Sequence, residues 1–501
     1  MARATSREVD AASRAEKAST QGALARIRLC MTGFSVRSIF RRPDAPRRPP
    51  KPAPMQRVLI YGMNHAPEIV GVGRYTADIV NELARRGYMV SVITAPPHYP
   101  HWDTRFWREQ GFRNRYAREA RDGVTIWRCP LVLRRPMRGA WRLLAPLSFA
   151  IGSAPLVIWR ILRDRPGLVV CVEPTLLAAP AAVAAARLVR ASCVLHVHDL
   201  EPEAAVGAGN GWAGRYAGVL AERVARLRRH FDGVVTLSPA MGRELARHGL
   251  ASSRIHLWPN WIDVRRIARG HDPARADAWR READIGDGQR IVLCAGSINR
   301  KHAPLLLANA ARLLRHRDDL VVVIAGDGPL RADLAAETAD LANVRLLPLQ
   351  PEEALPALLQ FADVHVMPQD PAWDGLALPS RLAGMLASGK PVVITGNADT
   401  ELGKFLGTTA RMCRPHDAAA LAAAIAQALA PSCPVQARRG RNARWRKALL
   451  LDRRRCLNGV VDVLEAVAAR QKPGRREWAS GATARVVRHM MMVKSDRTDA
   501  P

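Results

Sequence analysis

The chain has 501 residues, of which 48% are hydrophobic, and a formal net charge of +31. Its length exceeds what a single compact core usually holds, so we expect two domains of ordinary size plus tails. The hydrophobic content excludes a wholly disordered chain in spite of the charge.

Most of the positive charge lies at the two ends of the chain. Residues 1–54 contain 12 basic and 4 acidic residues, and residues 434–501 contain 17 and 6. Only eight of the 76 basic residues are lysine, a bias that GC-rich coding produces without any selection for nucleic-acid binding. We therefore expect no specific nucleic-acid partner.

The two chain termini and the cysteines also indicate the cellular compartment of the protein. No apolar segment follows the early arginines, so a secretory signal is not expected, and residues 1–54 and 471–501 are predicted to be disordered basic extensions. The eight cysteines are scattered without a C-x-x-C pair, which indicates free thiols in a reducing compartment. We expect a cytoplasmic protein.

The first predicted unit is a strand, a glycine-containing loop, a helix and a second strand. The strands are predicted at residues 57–61 and 90–94, and the loop at residues 62–73 contains Gly71 and Gly73. This loop is not a G-x-G-x-x-G fingerprint, because it is longer and no acidic residue ends the second strand. Its glycines would let the backbone approach a ligand closely. A plain surface loop is the alternative.

Two unusual segments follow. Residues 96–121 are rich in aromatic residues and arginine, which favours a functional loop. Residues 143–162 are almost uncharged but contain Pro146, Pro155 and a Gly-Ser pair. This composition favours a buried or interfacial helix pair over a membrane-spanning helix.

Further strands of the first half are predicted at residues 168–172, 193–197 and 233–237. The second of these ends in His198 and Asp199, and open α/β sheets bind ligands at the carboxyl ends of such strands. A loop histidine bonded to Asp199 is the alternative. Ser238 is expected to cap the helix that follows the third strand, and Gly249 to end it.

The second half repeats the alternation of strands and helices. Strands are predicted at residues 291–294, 321–325, 344–347 and 363–368, and helices at residues 305–314 and 355–361. Together the halves predict an α/β protein with two doubly wound, parallel, Rossmann-like sheets that face each other across a cleft.

Residues 378–396 predict a turn, a helix and a strand. Ser380 is expected to cap the helix and Gly389 to end it. The N–H groups near Arg381 and Leu382, the helix dipole and the Arg381 guanidinium would form an anion site that suits a nucleotide diphosphate. An ordinary capped helix with a surface arginine is the alternative.

Eight motifs occur in a fixed order over about residues 55–470: GVGRYT, HVHD, TLSPAM, WPNWID, GSINRKH, IAGDGPLRADL, VRLLPLQPEEALPALLQFADVHVMP and LPSRLAGMLASGKPVV. In this order they resemble the retaining glycosyltransferases of family 4, which have the GT-B fold. The segments YGMNHAPEIVGVGRYT, ITAPPHYP and WRCP narrow the resemblance to colanic-acid-type exopolysaccharide fucosyltransferases.

The resemblance implies a domain organisation. It gives an N-terminal acceptor domain over residues 55–265, a linker over 266–290, a nucleotide-sugar domain over 291–433 and crossing helices over 434–470.

The resemblance also implies roles for individual residues. The donor diphosphate would lie against Lys301 and the turn at Ser380–Leu382, with Gly71 and Gly73 approaching from the other lobe. His198 would lie near the reacting sugar, and His198, Lys301 and Arg381 would be catalytic. No D-x-D stretch is present, so we expect the leaving group to be stabilised without a metal or another cofactor.

Two positions depart from the family pattern. Many relatives have an arginine where Ser297 stands in the donor site, and a ribose-binding glutamate where Gly384 aligns. Glu401, in the turn that follows, is the expected substitute for the ribose contact.

Two functions of different classes remain. The first is an enzyme that moves a sugar from a nucleotide diphosphate sugar to a lipid-linked oligosaccharide, while attached peripherally to the cytoplasmic face of the inner membrane. The second is a catalytically silent GT-B scaffold that binds anionic membrane or nucleic acid through its arginine-rich ends. The order of the motifs favours the enzyme, and slow hydrolysis of a donor would distinguish the two.

Overall fold

The computed structural model describes residues 57–470, apart from residues 69–70, 100–102, 104–106, 109, 122, 134–143, 174–175, 201–221, 371–377 and 432. The predicted extensions, residues 1–54 and 471–501, lie outside the described residues.

The strands fall into two groups along the chain. They are Arg57–Tyr61 (β1), Met89–Thr94 (β2), Ala117–Arg121 (β3), Val124–Arg128 (β4), Leu168–Val172 (β5), Ser192–Val197 (β6), Gly233–Thr236 (β7), Ile255–Leu257 (β8), Arg290–Ala295 (β9), Leu320–Ala325 (β10), Val344–Leu347 (β11), Val364–Met367 (β12), Val392–Thr395 (β13) and Arg411–Cys413 (β14).

Two sheets result, as the sequence predicts. The first has the order β3-β4-β2-β1-β5-β6-β7-β8 and the second the order β11-β10-β9-β12-β13-β14. All pairings are parallel except that of β3 with β4. The first sheet with its helices is called the N-terminal lobe below, and the second the C-terminal lobe.

Helices connect the strands. They are Val72–Arg85 (α1), Leu144–Asp164 (α2), Ala179–Leu188 (α3), Pro239–Arg247 (α4), Val264–Ala268 (α5), Pro273–Glu282 (α6), Pro304–Leu313 (α7), Arg331–Glu337 (α8), Leu355–Phe361 (α9), Leu382–Ser388 (α10), Glu401–Leu406 (α11), Ala418–Leu429 (α12), Pro434–Leu449 (α13) and Arg453–Arg470 (α14). Residues 222–228 are also helical.

The central strands are buried on both faces, which explains their continuous apolar sequences. Every residue of β5 (LVVCV) and β10 (LVVVIA) is buried. Parallel strands covered by helices on both sides have this composition, because neither face meets water. The local signals at α4 are also confirmed, since the Ser238 side chain accepts a hydrogen bond from the Met241 N–H and Gly249 has a positive φ of 83°.

The prediction that residues 96–121 form a loop is wrong at its end. Residues 117–121 are strand β3, which pairs antiparallel with β4 at the edge of the sheet. The sequence AREAR of β3 is mostly exposed and charged, so it has no apolar alternation to reveal a strand. The Asp122-Gly123 pair before the β-branched residues of β4 is the hairpin signal that could have revealed it.

The prediction of a helix pair at residues 143–162 is also wrong. Helix α2 is continuous over 21 residues and contains Pro155 in its interior. One face of α2, with Phe149, Val157 and Ile161, is buried in the core of the N-terminal lobe. In the described part of the chain, α2 is the one unbroken helix whose length and hydropathy would suit a membrane crossing.

The last two helices pack against different lobes. Helix α13 contacts α10, whereas α14 contacts α1 and β6. Arg86 at the end of α1 donates hydrogen bonds to Asp462 at 2.7 Å and to Glu465 at 3.1 Å. At Gly459, α14 approaches the Trp258 ring so closely that a Cβ would lie 2.2 Å from it. The C-terminal chain therefore joins both lobes.

We predict that Gly459→Ala lowers the melting temperature. The new methyl group would overlap the Trp258 ring, and overpacking of this kind costs about 1–3 kcal/mol. Gly440→Ala in α13 is the matched control, because its Cβ would meet only the mobile end of Arg444 and alanine favours a helix by up to about 1 kcal/mol. Thermal unfolding of both variants measures this. Equal melting temperatures would contradict the close contact.

Candidate active site

One buried carboxylate holds the loop that follows β1. Glu68 is 2% exposed and accepts hydrogen bonds from the backbone N–H groups of His98 and Tyr99, both at 3.0 Å, and from Asn64 Nδ2 at 2.9 Å. The first two N–H groups belong to the loop after β2. Hydrogen bonds to an ionised group are about twice as strong as neutral ones, so Glu68 fixes the two loops to each other. Glu68 is not among the site residues predicted from the sequence.

The two glycines predicted to approach the donor lie where α1 begins. Gly71 has a φ of +70°, and a Cβ there would lie 3.2 Å from the Tyr99 ring. A Cβ on Gly73 would lie 2.7 Å from Glu68 Oε2 and 3.2 Å from the His65 nitrogen. Glycine is therefore required at both positions by neighbouring groups of the protein. Their contact with a donor stays a prediction.

His198 lies at the carboxyl end of β6, as predicted, and pairs with a second histidine. Its Nε2 lies 3.2 Å from Nδ1 of His196, and its ring stacks on Tyr75 at a centroid distance of 5.8 Å. Burial lowers the pKa of His196 to about 4 and that of His198 well below its usual value. Both rings are therefore neutral near pH 7. Each ring can donate one hydrogen bond and accept another without adding charge to the cleft.

Arg381 is enclosed between the ends of two central strands of the C-terminal lobe. Its guanidinium donates to the carbonyl of Pro368, after β12, at 3.3 Å and lies 3.9 Å from Cys294 Sγ in β9. Its Nε is buried and has no hydrogen-bond partner among the described residues. Burial lowers the pKa of Arg381. A buried donor without a partner carries a free-energy cost, which an anion in this position would remove.

The loop that carries Ser297 and Lys301 is fixed by close backbone contacts. A Cβ on Gly326 would lie 1.9 Å from the Gly296 carbonyl oxygen, and a Cβ on Gly328 would lie 2.3 Å from that of Ile298. The Ile298 N–H also donates to the Asp327 carbonyl at 2.9 Å. The loops after β9 and β10 thus pack backbone against backbone, which only glycine permits.

Inside this loop, side chains complete the packing. His302 Nδ1 lies 2.7 Å from the Ser297 carbonyl oxygen, and Asn299 Nδ2 donates to Ser297 Oγ at 3.0 Å. Burial and the charges of Arg381 and Lys301 together lower the pKa of His302 to about 3. Neutral histidine and two cations therefore lie side by side.

The two lobes meet at the predicted donor residues. Tyr75 in α1 lies close enough to the Ser380 side chain to affect the pKa of Tyr75, and Lys301 Nζ lies 4.0 Å from Asp199 Oδ2. Arg74 lies 3.5 Å from Glu352 at the same interface. The structure thus brings the start of α1, the end of β6, the Lys301 loop and the Ser380 turn to one cleft.

Glu401 also contacts the opposite lobe. Its carboxylate accepts hydrogen bonds from the Ala240 N–H at 2.8 Å and from Arg243 at 2.7 Å, both in α4. A ribose would have to displace these partners to reach the carboxylate. The assignment of Glu401 to the ribose stays a prediction.

Two details predicted for the phosphate turn are corrected by the structure. Helix α10 begins at Leu382 and no side chain caps it, so Ser380 is not the N-cap. The Leu382 N–H donates to the Pro379 carbonyl at 3.0 Å and is not the free amide that the sequence predicted.

The structure explains the glycine at position 384. A Cβ there would lie 2.8 Å from Leu359 and 3.3 Å from Ile262, inside an apolar cluster. A larger residue at this position would require the ends of the Leu359 and Ile262 side chains to move. The glycine thus lets α10 pack closely against α9.

Comparison with known proteins identifies the family. Residues 70–261 match the family described as a glycosyl transferase 4-like domain, and residues 289–431 match the glycosyl transferases group 1. Over 382 residues the chain is 37% identical to the putative colanic acid biosynthesis glycosyl transferase WcaI of Escherichia coli (strain K12), which covers 74% of this chain and 92% of that protein. The chain is a family 4 glycosyltransferase.

Solved structures share the fold of this glycosyltransferase. HepE of Anabaena, determined in complex with UDP and glucose, has a TM-score of 0.58 and 16% identity and covers 82% of this chain and 100% of its own. A glycosyltransferase from Rickettsia africae has a TM-score of 0.59 and 13% identity and covers 83% and 99%. The GT-B fold predicted from the sequence is confirmed.

Metal ligands are not gathered in the part of the glycosyltransferase that the structure describes. Within those ranges, no three His, Cys, Asp or Glu side chains lie together in an arrangement that could hold a metal ion. Lys301 and Arg381 are cationic groups at the cleft that can bind an anion.

We predict that His302→Gln makes the protein less sensitive to acid. The folded-state pKa of about 3 lies below the unfolded value near 6.5, so the unfolded chain binds the extra proton and stability falls as the pH drops through this window. Between pH 7 and pH 5, the substitution should reduce the loss of unfolding free energy by at most about 2 kcal/mol. Urea unfolding at both pH values measures it.

The matched control for this prediction is the exposed His316, also changed to Gln. An acid sensitivity that is the same in His302→Gln and in the unmodified protein would show that His302 is not held neutral.

Proposed function

We propose that this glycosyltransferase moves a sugar from a nucleotide diphosphate sugar to a lipid-linked oligosaccharide during exopolysaccharide assembly, with retention at the anomeric carbon. The observation that supports a nucleotide diphosphate donor is the enclosed Arg381 guanidinium, whose buried Nε lacks a partner among the described residues. The putative role of the E. coli relative in colanic acid biosynthesis supports the exopolysaccharide product.

In the proposed reaction, Arg381 and Lys301 stabilise the departing nucleoside diphosphate. Negative charge grows on the phosphate oxygens as the sugar leaves, and a cation in a water-poor site stabilises it more than one in water. Asp199 lies 4.0 Å from Lys301, so the donor phosphates would compete with Asp199 for this cation. Because two cations supply the charge, the proposed mechanism uses no metal ion or other cofactor.

His198 is proposed to contact the reacting sugar. Its ring is held by His196 and by the stacked Tyr75, which fixes its orientation at the cleft. A neutral imidazole at this place can hydrogen-bond a sugar hydroxyl and does not repel the positive charge that develops on the sugar in the transition state. The low pKa values of both histidines support this role.

We predict that Lys301→Ala and Arg381→Ala each lower kcat/KM by roughly ten- to a thousandfold, the range for loss of one contact to a developing anion. Exposed Lys404 and Arg315, also changed to Ala, are the controls and should stay near the unmodified rate. The assay measures transfer and slow hydrolysis of UDP-, GDP- and ADP-sugars.

Two outcomes would contradict the proposal. Near-normal turnover in both site variants would remove the site assignment. Absence of transfer and hydrolysis with every donor in the unmodified protein would favour the catalytically silent scaffold.

We also propose peripheral attachment to the cytoplasmic face of the inner membrane through α2. The outer face of this helix exposes large apolar side chains, and Ile151 is 68% exposed. The opposite face is part of the core, so the helix can lie on a membrane but would have to leave the lobe to cross it. An apolar face flanked by arginine is typical of interfacial helices. The exposed residues are Leu147, Ile151, Ile158, Trp159 and Leu162.

We predict that Ile151→Gln together with Leu162→Gln reduces co-sedimentation with vesicles of anionic phospholipid, and that the remaining binding weakens as salt rises, because charge attraction is screened and apolar insertion is not. Leu313→Gln, which changes an exposed leucine of α7 in the C-terminal lobe, is the control. Binding that is unchanged by the α2 double substitution would exclude this face, and no binding by the unmodified protein in any salt would exclude attachment.

A further inference from the structure

A cavity of about 570 Å³ lies between the edge hairpin of the N-terminal sheet and the middle of α2. Its wall is mainly apolar and aromatic, with Trp127 from β4 and Pro155, Leu156 and Trp159 from α2. Tyr116 closes one side, since its hydroxyl donates to the Gly152 carbonyl at 2.8 Å. The cavity opens beside the exposed apolar residues of α2, and neither the predicted donor residues nor the histidine pair line it.

Arginines surround this cavity in excess of carboxylates. The guanidinium carbons of Arg118 and Arg160 lie 5.3 Å and 5.2 Å from the centre of the Trp127 ring, and that of Arg163 lies 5.2 Å from the Trp159 ring. Arg160 forms an ion pair with Asp164, and Arg128, which lines the cavity, forms one with Glu119. An arginine cluster with few acidic partners suits an anion, and planar guanidinium groups bind phosphate in particular.

The pKa of Arg160 also reflects the excess of positive charge around the cavity. Burial lowers the pKa of Arg160, Asp164 opposes the shift, and Arg163, Arg118 and Arg57 lower the pKa further. Its Nε is buried and has no hydrogen-bond partner among the described residues. A bound anion would offset the repulsion among these arginines.

The cavity wall is joined to the loop that holds Gly71. Ser153 in α2 lies 2.6 Å from the hydroxyl of Tyr61, the last residue of β1. Arg128, which lines the cavity, donates to the Ala66 carbonyl at 2.9 Å within that loop. A ligand in the cavity would therefore lie next to the carboxyl end of the sheet, where the proposed transfer takes place.

We propose that this cavity binds the phosphate-bearing end of the lipid-linked acceptor, with the lipid chain against Leu156 and Trp159 and the phosphate oxygens bound by Arg118 at the rim. The assignment rests on the proposed function, because it takes the acceptor to be lipid-linked. The combination of an apolar wall, an arginine cluster and a connection to the cleft distinguishes it from a general surface for anionic lipid.

The test uses the full-length protein and short, soluble probes. Isothermal titration compares farnesyl phosphate, which has a chain and a phosphate, with farnesol, which lacks the phosphate. Dihexanoyl phosphatidylglycerol represents a membrane phospholipid. We expect farnesyl phosphate to bind at least about tenfold more tightly than either, the contribution of one charge-assisted contact.

Two pairs of variants locate the site. Arg118→Gln should remove most of the preference for farnesyl phosphate over farnesol, whereas Arg121→Gln on the same strand should keep it. Ala117→Trp places a large ring in the cavity wall and should weaken binding of both probes, whereas Ala120→Trp, also exposed on β3, should not. Thermal melts verify that each variant is folded.

Failure of this site and failure of the proposed function give different results. Suppose that the protein hydrolyses a donor but binds farnesyl phosphate no more tightly than farnesol. This result would overturn the cavity assignment alone. The same holds if the preference for farnesyl phosphate survives both Arg118→Gln and Ala117→Trp. Equal binding of the phosphatidylglycerol probe would overturn the acceptor in favour of a membrane phospholipid. Cavity binding in a protein that neither transfers nor hydrolyses any sugar would overturn the acceptor role together with the proposed function.

Discussion

The site depends on one partly buried guanidinium. Arg381 lies between the ends of β9 and β12. Its Nε is buried and has no hydrogen-bond partner among the described residues. Its charge affects its surroundings, since it helps to keep His302 neutral. The neighbouring His196 and His198 are neutral through burial. Arg381 and Lys301 therefore supply positive charge next to neutral histidines, and a partly buried cation attracts an anion more strongly than a cation in open water.

Close backbone packing positions the loops that surround this charge. Gly326 and Gly328 let the loop after β10 touch the loop that carries Ser297 and Lys301. In the other lobe, Gly73 lets α1 begin against Glu68, which in turn holds the loop after β2. Loops are usually the mobile parts of an α/β protein, but contacts of this kind leave little room for movement. The cleft is thus organised by glycine on one side and by a buried carboxylate on the other.

The sequence predicted the features that depend on local composition and failed where tertiary contacts decide. The bounds of β1, β5, β11 and α9 were predicted correctly because their apolar residues are continuous or helically spaced. Strand β3 was missed because an exposed, charged edge strand lacks that signal, and α2 was broken in the prediction because Pro155 outweighed its apolar face. The surroundings of Gly384 include Leu359 and Ile262, which are distant in sequence and cannot be read from the local pattern. Glu68, a lone acid in a glycine-containing loop, is the site residue that the sequence could have suggested.

Helix α2 connects the surface that we propose to contact the membrane with the cleft in which we propose that the sugar is transferred. Its outer face exposes Ile151 and Leu162, whereas Ser153 on its inner face bonds Tyr61 at the end of β1. A helix of 21 residues that is fixed on one side cannot turn independently of the lobe. If α2 lies on the bilayer, the carboxyl end of β1 and the glycine-containing loop are therefore held at a constant distance from the lipid surface. Under the proposed function this geometry brings the cleft to a lipid-linked acceptor, so the acceptor would not have to leave the membrane to react.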